Sequence, residues 1–133
     1  MAISGAEALS DEDARILALE QGPVRGHTCK VAIVDGRIDM TGLRERVDRR
    51  LGRERLLSLR LADGDPPCWE PDPAFDVARH VRDAGAVAED DLHELVGRLM
   101  AERLPRDRPL WALDAVRVGG RRSALVWRIH HAL

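Results

Sequence analysis

Residues 111–129 constrain this chain more than any other stretch. Trp111 to Val118 and Arg122 to Ile129 are two apolar-rich runs, and Gly119-Gly120 lies between them. Paired glycines supply the positive φ angles that a tight hairpin needs, so the two runs are expected to be adjacent antiparallel strands. The second run opens directly into His130-His131-Ala132-Leu133.

Successive side chains on a strand point to opposite faces. If pairing persists to the end of the run, His131 shares a face with Leu125, Trp127 and Ile129, and His130 shares the other with Val126 and Arg128. Two rings pointing apart cannot both ligate one ion, so no metal site is expected. One imidazole is presented for chemistry while its neighbour supports the turn. His131 suits a general base, because a neutral imidazole with an unperturbed pKa of about 6.5 can accept a proton near neutral pH. Taken alone, the pair fits two ordinary strand-end residues as well. Of the remaining histidines, His93 is expected on the surface, and His27 and His80 are expected to be structural, bonded to nearby backbone.

Upstream, Ser10-Asp11-Glu12-Asp13 has the form of a helix start, with Ser10 as cap and acids at the positive end of the dipole. Ile16, Leu17 and Leu19 give that helix its apolar side. His27 to Val34 is expected to be a strand closed by Asp35-Gly36, and Met40, Leu43, Val47 and Leu51 form the stripe of a helix over 40–51. The arginines between them are expected to form a solvated helix face, the other reading being a phosphate or lipid-headgroup patch. A strand is expected over Leu56 to Leu61, a loop over 62–76 with Trp69 pinned to the core, and a short extended segment over Phe75 to Val81. Glu89 to Leu104 carries the clearest helical pattern, through Leu92, Leu95, Val96, Leu99 and Met100. The order predicts an α/β fold, with a mixed, largely antiparallel sheet covered by helices on one side.

Composition narrows the function classes. With 44% apolar and 33% charged residues the chain is globular, and a net charge of -2 gives no field for nucleic acid. No run of 18 apolar residues spans a bilayer, and the opening Met1-Ala2-Ile3-Ser4-Gly5-Ala6-Glu7 has neither the basic start nor the apolar core expected of a secretory leader. Cys29 and Cys68 lie far apart and read as reduced thiols of a cytoplasmic protein. Twenty arginines against the single Lys30 suggest codon usage of a GC-rich bacterial genome.

Four segments carry a family resemblance. They are Leu9-Ser10-x-x-Asp13 with Glu20; Cys68-Trp69-Glu70-Pro71-Asp72-Pro73-Ala74-Phe75-Asp76 followed by His80-Val81-Arg82; Arg106-Asp107-Arg108-Pro109-Leu110-Trp111; and His130-His131-Ala132-Leu133. In this order and spacing the chain resembles the N-terminal part of the bacterial wax ester synthase/diacylglycerol acyltransferase family, within the chloramphenicol acetyltransferase-like superfamily. Leu104-Pro105-Arg106-Asp107 departs from that family's commoner Pro-Leu-Asp-Arg wording.

The resemblance implies one α/β lobe of a two-lobed enzyme whose tunnel admits acyl-CoA from one side and the acceptor alcohol from the other. It implies His131 as general base and His130 as its support, at the start of a His-His-x-x-x-Asp motif whose carboxylate would fall two residues beyond Leu133. Residues 1–133 are therefore expected to be an N-terminal acyltransferase lobe without its C-terminal partner, inactive alone. No permanently bound cofactor is implied; acyl-CoA is the co-substrate, and diacylglycerol or a long-chain alcohol the acceptor. The expected location is cytoplasmic, with peripheral contact at the inner membrane face or lipid inclusions. Two other readings are a condensation-type domain using carrier-bound thioesters and a non-catalytic lobe acting as an interaction module.

Overall fold

The computed structural model describes residues 5–133. Of the opening residues on which the reading of no secretory leader rests, Met1-Ala2-Ile3-Ser4 lie outside the described residues. In chain order the elements are β1 (Glu7–Ala8), α1 (Asp11–Leu19), β2 (His27–Asp35), α2 (Met40–Leu51), β3 (Leu59–Ala62) and β4 (Cys68–Pro71). There follow α3 (Val77–His80), β5 (Val81–Val87), α4 (Leu92–Ala101), β6 (Trp111–Val118) and β7 (Arg122–His130).

The hairpin forms as its glycines require. Gly119 and Gly120 adopt φ of 62° and 83°, and β6 pairs antiparallel with β7 from Trp111 opposite Ile129 to Val118 opposite Arg122. On its other edge β7 pairs antiparallel with β2, from His27 opposite His130 to Asp35 opposite Arg122. β5 joins β6 in parallel, giving the order β2-β7-β6-β5. The sheet is thus mixed and largely antiparallel, as expected. A second, three-stranded sheet, β1-β4-β3, holds the buried Trp69.

Helices flank the large sheet on both faces rather than on one. Leu95 and Leu99 of α4 pack on Val116, Val118, Ala124 and Val126. Met40, Leu43 and Val47 of α2 pack with Trp111, Leu113 and Ile129, which project the other way. The expectation of one covered side fails because two apolar stripes on separate helices each need a sheet face, and β6 is apolar on both. The second face is incompletely covered, and Trp127 remains 42% exposed.

Several segments differ from expectation. Residues 55–58 form a 3₁₀ turn and only Leu59–Ala62 is a strand. The supposed loop over 62–76 contains β4, hidden by its prolines and brevity. Phe75 to Val81 is not extended: Asp76 caps the single turn α3 through a bond from the Ala78 amide. β5 escaped notice because Asp83, Ala84 and Gly85 are poor strand formers, and the pairing breaks register between Asp83 and Ala86. The helix expected over Glu89 to Leu104 begins with a 3₁₀ turn and ends at Ala101. Ser10 caps α1 by accepting from the Asp13 amide at 3.1 Å, but Leu19 projects into solvent at 69% exposure, leaving Ile16 and Leu17 as the packed residues.

Candidate active site

β7 ends at His130, and the chain turns there. The His130 amide donates to the Leu110 carbonyl at 3.0 Å, the His131 amide to the Gly26 carbonyl at 2.7 Å, and the Leu133 amide to the His130 carbonyl at 3.1 Å. Strand-like alternation therefore carries the two rings into unlike places. His130 is 1% exposed, on the face of Val126 and Arg128. His131 is exposed.

The His130 ring is engaged at both nitrogens. Nδ1 accepts from the Ala132 amide at 3.1 Å, so its lone pair is there and the proton belongs on Nε2. Nε2 donates to Glu20 Oε2 at 3.2 Å. Glu20 follows the C-terminal turn of α1 and is 3% exposed. Its Oε2 also accepts from the Gly26 amide at 2.7 Å, and its Oε1 from Arg106 Nη2 at 3.3 Å. The same guanidinium donates to the Leu17 carbonyl at 3.0 Å. Gly26 leaves no room for a side chain: a Cβ there would lie 2.5 Å from His130 Nε2 and 3.2 Å from Glu20 Oε2.

These contacts govern charge. Burial pushes the His130 pKa below its usual value and outweighs the pull of Glu20. Burial alone would raise the Glu20 carboxyl, but the Gly26 amide, His130 and Arg106 together hold it below the usual carboxylate value. His27 and His80 are also pushed down, in each case first by burial. For all three histidines the folded state favours the neutral ring, so the unfolded chain binds more protons near and below pH 6.5. Stability is therefore complete above that value and lost as pH falls. Thermal melts from pH 7.5 to pH 5 are expected to show a steadily falling midpoint. A flat profile across that range would refute the neutral assignments.

The same sheet face continues into a buried ionic cluster. Arg128 donates through Nη1 to the Leu99 carbonyl at 2.7 Å and through Nη2 to Asp114 Oδ2 at 3.1 Å. Arg82 donates to both oxygens of Asp114, from Nε to Oδ1 at 2.9 Å and from Nη2 to Oδ2 at 3.0 Å. His27 places Nε2 3.1 Å from the Met100 carbonyl, and His80 places Nδ1 2.8 Å from the Trp111 carbonyl while stacked between Phe75 and Trp111. Both are structural, bonded to backbone as expected.

The two histidines singled out by sequence thus lie on one turn, with only His131 open to a reactant. Sequence reasoning did not find the roles of Glu20 and Gly26, which meet the His130-His131 turn, or of Arg106, which bonds Glu20; these long separations leave no local pattern. The in-phase placement of Arg128 with Val126 was a usable sign of its burial. Among the described residues no group of three or more His, Cys, Asp or Glu side chains could hold a metal ion, and no helix is long and apolar enough to cross a membrane.

Comparison with known proteins places this geometry in context. Residues 9–133 match the family model described as the wax ester synthase/diacylglycerol acyltransferase catalytic domain. A Mycobacterium tuberculosis protein named as a diacylglycerol O-acyltransferase is 34% identical over 93% of this chain and 29% of its own length. A second from the same organism, bearing the same activity name, is 33% identical over 94% of the chain and 29% of its length. The chain therefore spans less than a third of the curated relatives it matches. Among solved structures, the wax ester synthase/diacylglycerol acyltransferase of Marinobacter aquaeolei superposes with a TM-score of 0.78 at 22% identity, covering 96% of this chain and 33% of that one. The first condensation domain of the calcium-dependent antibiotic synthetase shares the fold, with a TM-score of 0.71 at 20% identity over 96% of this chain and 34% of that one.

Proposed function

Because this chain belongs to the wax ester synthase/diacylglycerol acyltransferase family, we propose that it forms the N-terminal lobe of an O-acyltransferase. The enzyme moves a fatty acyl group from acyl-CoA to diacylglycerol or a long-chain alcohol. His131 takes the hydroxyl proton as the alcohol oxygen attacks the thioester carbonyl. The tetrahedral adduct collapses with cleavage of the carbon–sulfur bond, leaving the ester, and the proton passes to the departing CoA thiolate. His130 takes no part in the proton transfer and holds the turn. Acyl-CoA enters as co-substrate, and the reaction needs no resident cofactor. The acceptor is insoluble in water, which suits a cytoplasmic protein working at the inner membrane face or a lipid inclusion.

The observation that carries this reading is the unlike treatment of the two rings. His130 is buried with both nitrogens engaged, whereas His131 is exposed on a turn whose main chain is pinned to Gly26. A second lobe supplies the opposite wall that holds thioester and alcohol together, and such positioning is a large share of a bimolecular barrier. The 133-residue chain incubated with palmitoyl-CoA and a diacylglycerol or long-chain alcohol is expected to form no ester above a His131→Ala control. Joined to the remainder of the Marinobacter protein in place of its matched third, it is expected to form ester. Ester formation by the lobe alone, or none by the joined protein when folded, would count against the proposal.

A further inference from the structure

We propose that Glu20 is a positioning residue for the reaction, and that its carboxylate orients His131 by tying down the residues on either side of it. The inference rests on the reading of His131 as general base.

The position of Glu20 demands an explanation. It is buried immediately after the C-terminal turn of α1, where the helix dipole disfavours negative charge. A buried carboxylate is tolerated only when donors surround it, and here there are three. Two of them converge on one oxygen. Oε2 receives the Gly26 amide at 2.7 Å and His130 Nε2 at 3.2 Å. Each then leads to the displayed histidine by a separate route. Gly26 returns its carbonyl to the His131 amide at 2.7 Å. His130 extends Nδ1 to the Ala132 amide at 3.1 Å, just beyond His131. One oxygen therefore governs the main chain before and after the base. It also selects the His130 tautomer that leaves Nδ1 free to accept. Arg106, bonded to the other oxygen, keeps the carboxylate facing this turn.

Histidine ¹⁵N–¹H correlation spectra and amide exchange on the 133-residue chain test this without measuring turnover, so the result is separate from that of the ester assay. In the native chain, His130 is expected to carry its proton on Nε2, with the His131 and Ala132 amides protected. In Glu20→Ala, exchange at those two amides should accelerate about tenfold or more while Val126 stays protected, and His130 should populate its second tautomer. Glu20→Gln keeps a carbonyl oxygen for both donors and should restore the tautomer and most of the protection. Unchanged exchange and tautomer in Glu20→Ala would overturn the proposal. So would an equal loss at Val126, which would make Glu20 a stability residue only. If Glu20→Ala does not fold, Glu20→Gln decides: retention of the Nε2 proton supports the role, and its loss in a folded protein overturns it.

Discussion

Replacing His131 by alanine in the joined two-lobe protein is expected to lower kcat by about 10²–10⁴-fold, with the KM for acyl-CoA nearly unchanged. If His131 is the general base proposed above, proton transfer is what its exposed ring contributes, and its loss is expected to leave the fold intact. His130→Ala should fail differently. It empties a buried site and strips the Ala132 amide and Glu20 of a partner, each unsatisfied group costing about 1–3 kcal/mol. Its melting temperature should fall, with turnover partly retained in the cold. Steady-state kinetics beside thermal melts separate the two. The assignment fails if His130→Ala abolishes turnover in a folded, stable enzyme while His131→Ala does not.

The largest expected loss of stability is for Asp114→Ala, about 3–5 kcal/mol by urea unfolding, the cost of leaving a buried charge without its partner. The Arg128 side chain is 2% exposed, and its Nε already lacks a partner, so only the Leu99 carbonyl would remain beside the distant Glu102 carboxylate at 3.8 Å. Arg82→Ala removes the half-exposed partner of the same carboxylate and should cost about 1 kcal/mol or less. A double replacement, Asp114→Leu with Arg128→Met, should recover much of the loss. Equal effects of the two single alanine variants would show that depth in the sheet does not set the strength of this cluster.

What was legible in the sequence depended on whether the signal was local. The Gly119-Gly120 hairpin, the Met40–Leu51 helix and the β2 strand each announce themselves through a turn residue or a regular period, and each formed where expected. β5 did not, because its strand character comes from β6 rather than from Asp83, Ala84 or Gly85. β4 is short and bordered by prolines, and only its pairing with β1 and β3 reveals it. The site followed the same division. His130 is buried at the end of β7, and His131, one residue beyond the strand, is exposed. Glu20 reaches His130 across 110 positions and Arg106 reaches Glu20 across 86, which no window along the chain contains.

The placement of β7 bears on how the four-stranded sheet is assembled. It follows β2, β5 and β6 in the chain yet lies between β2 and β6 in the sheet. During synthesis β2 emerges first and must wait, with its ladder groups unmatched, until residues about a hundred positions later arrive. Such non-local closure is slow, because loop entropy is lost before pairing rewards it. The sheet therefore cannot be completed one hairpin after another from its N-terminus. β6 and β7 are the pair that can close locally, and β2 is expected to dock onto them afterwards. The same pairing of β2 with β7 brings Gly26 and Glu20 to His130, so the turn at His131 depends on contacts that close only once the last strand is in place.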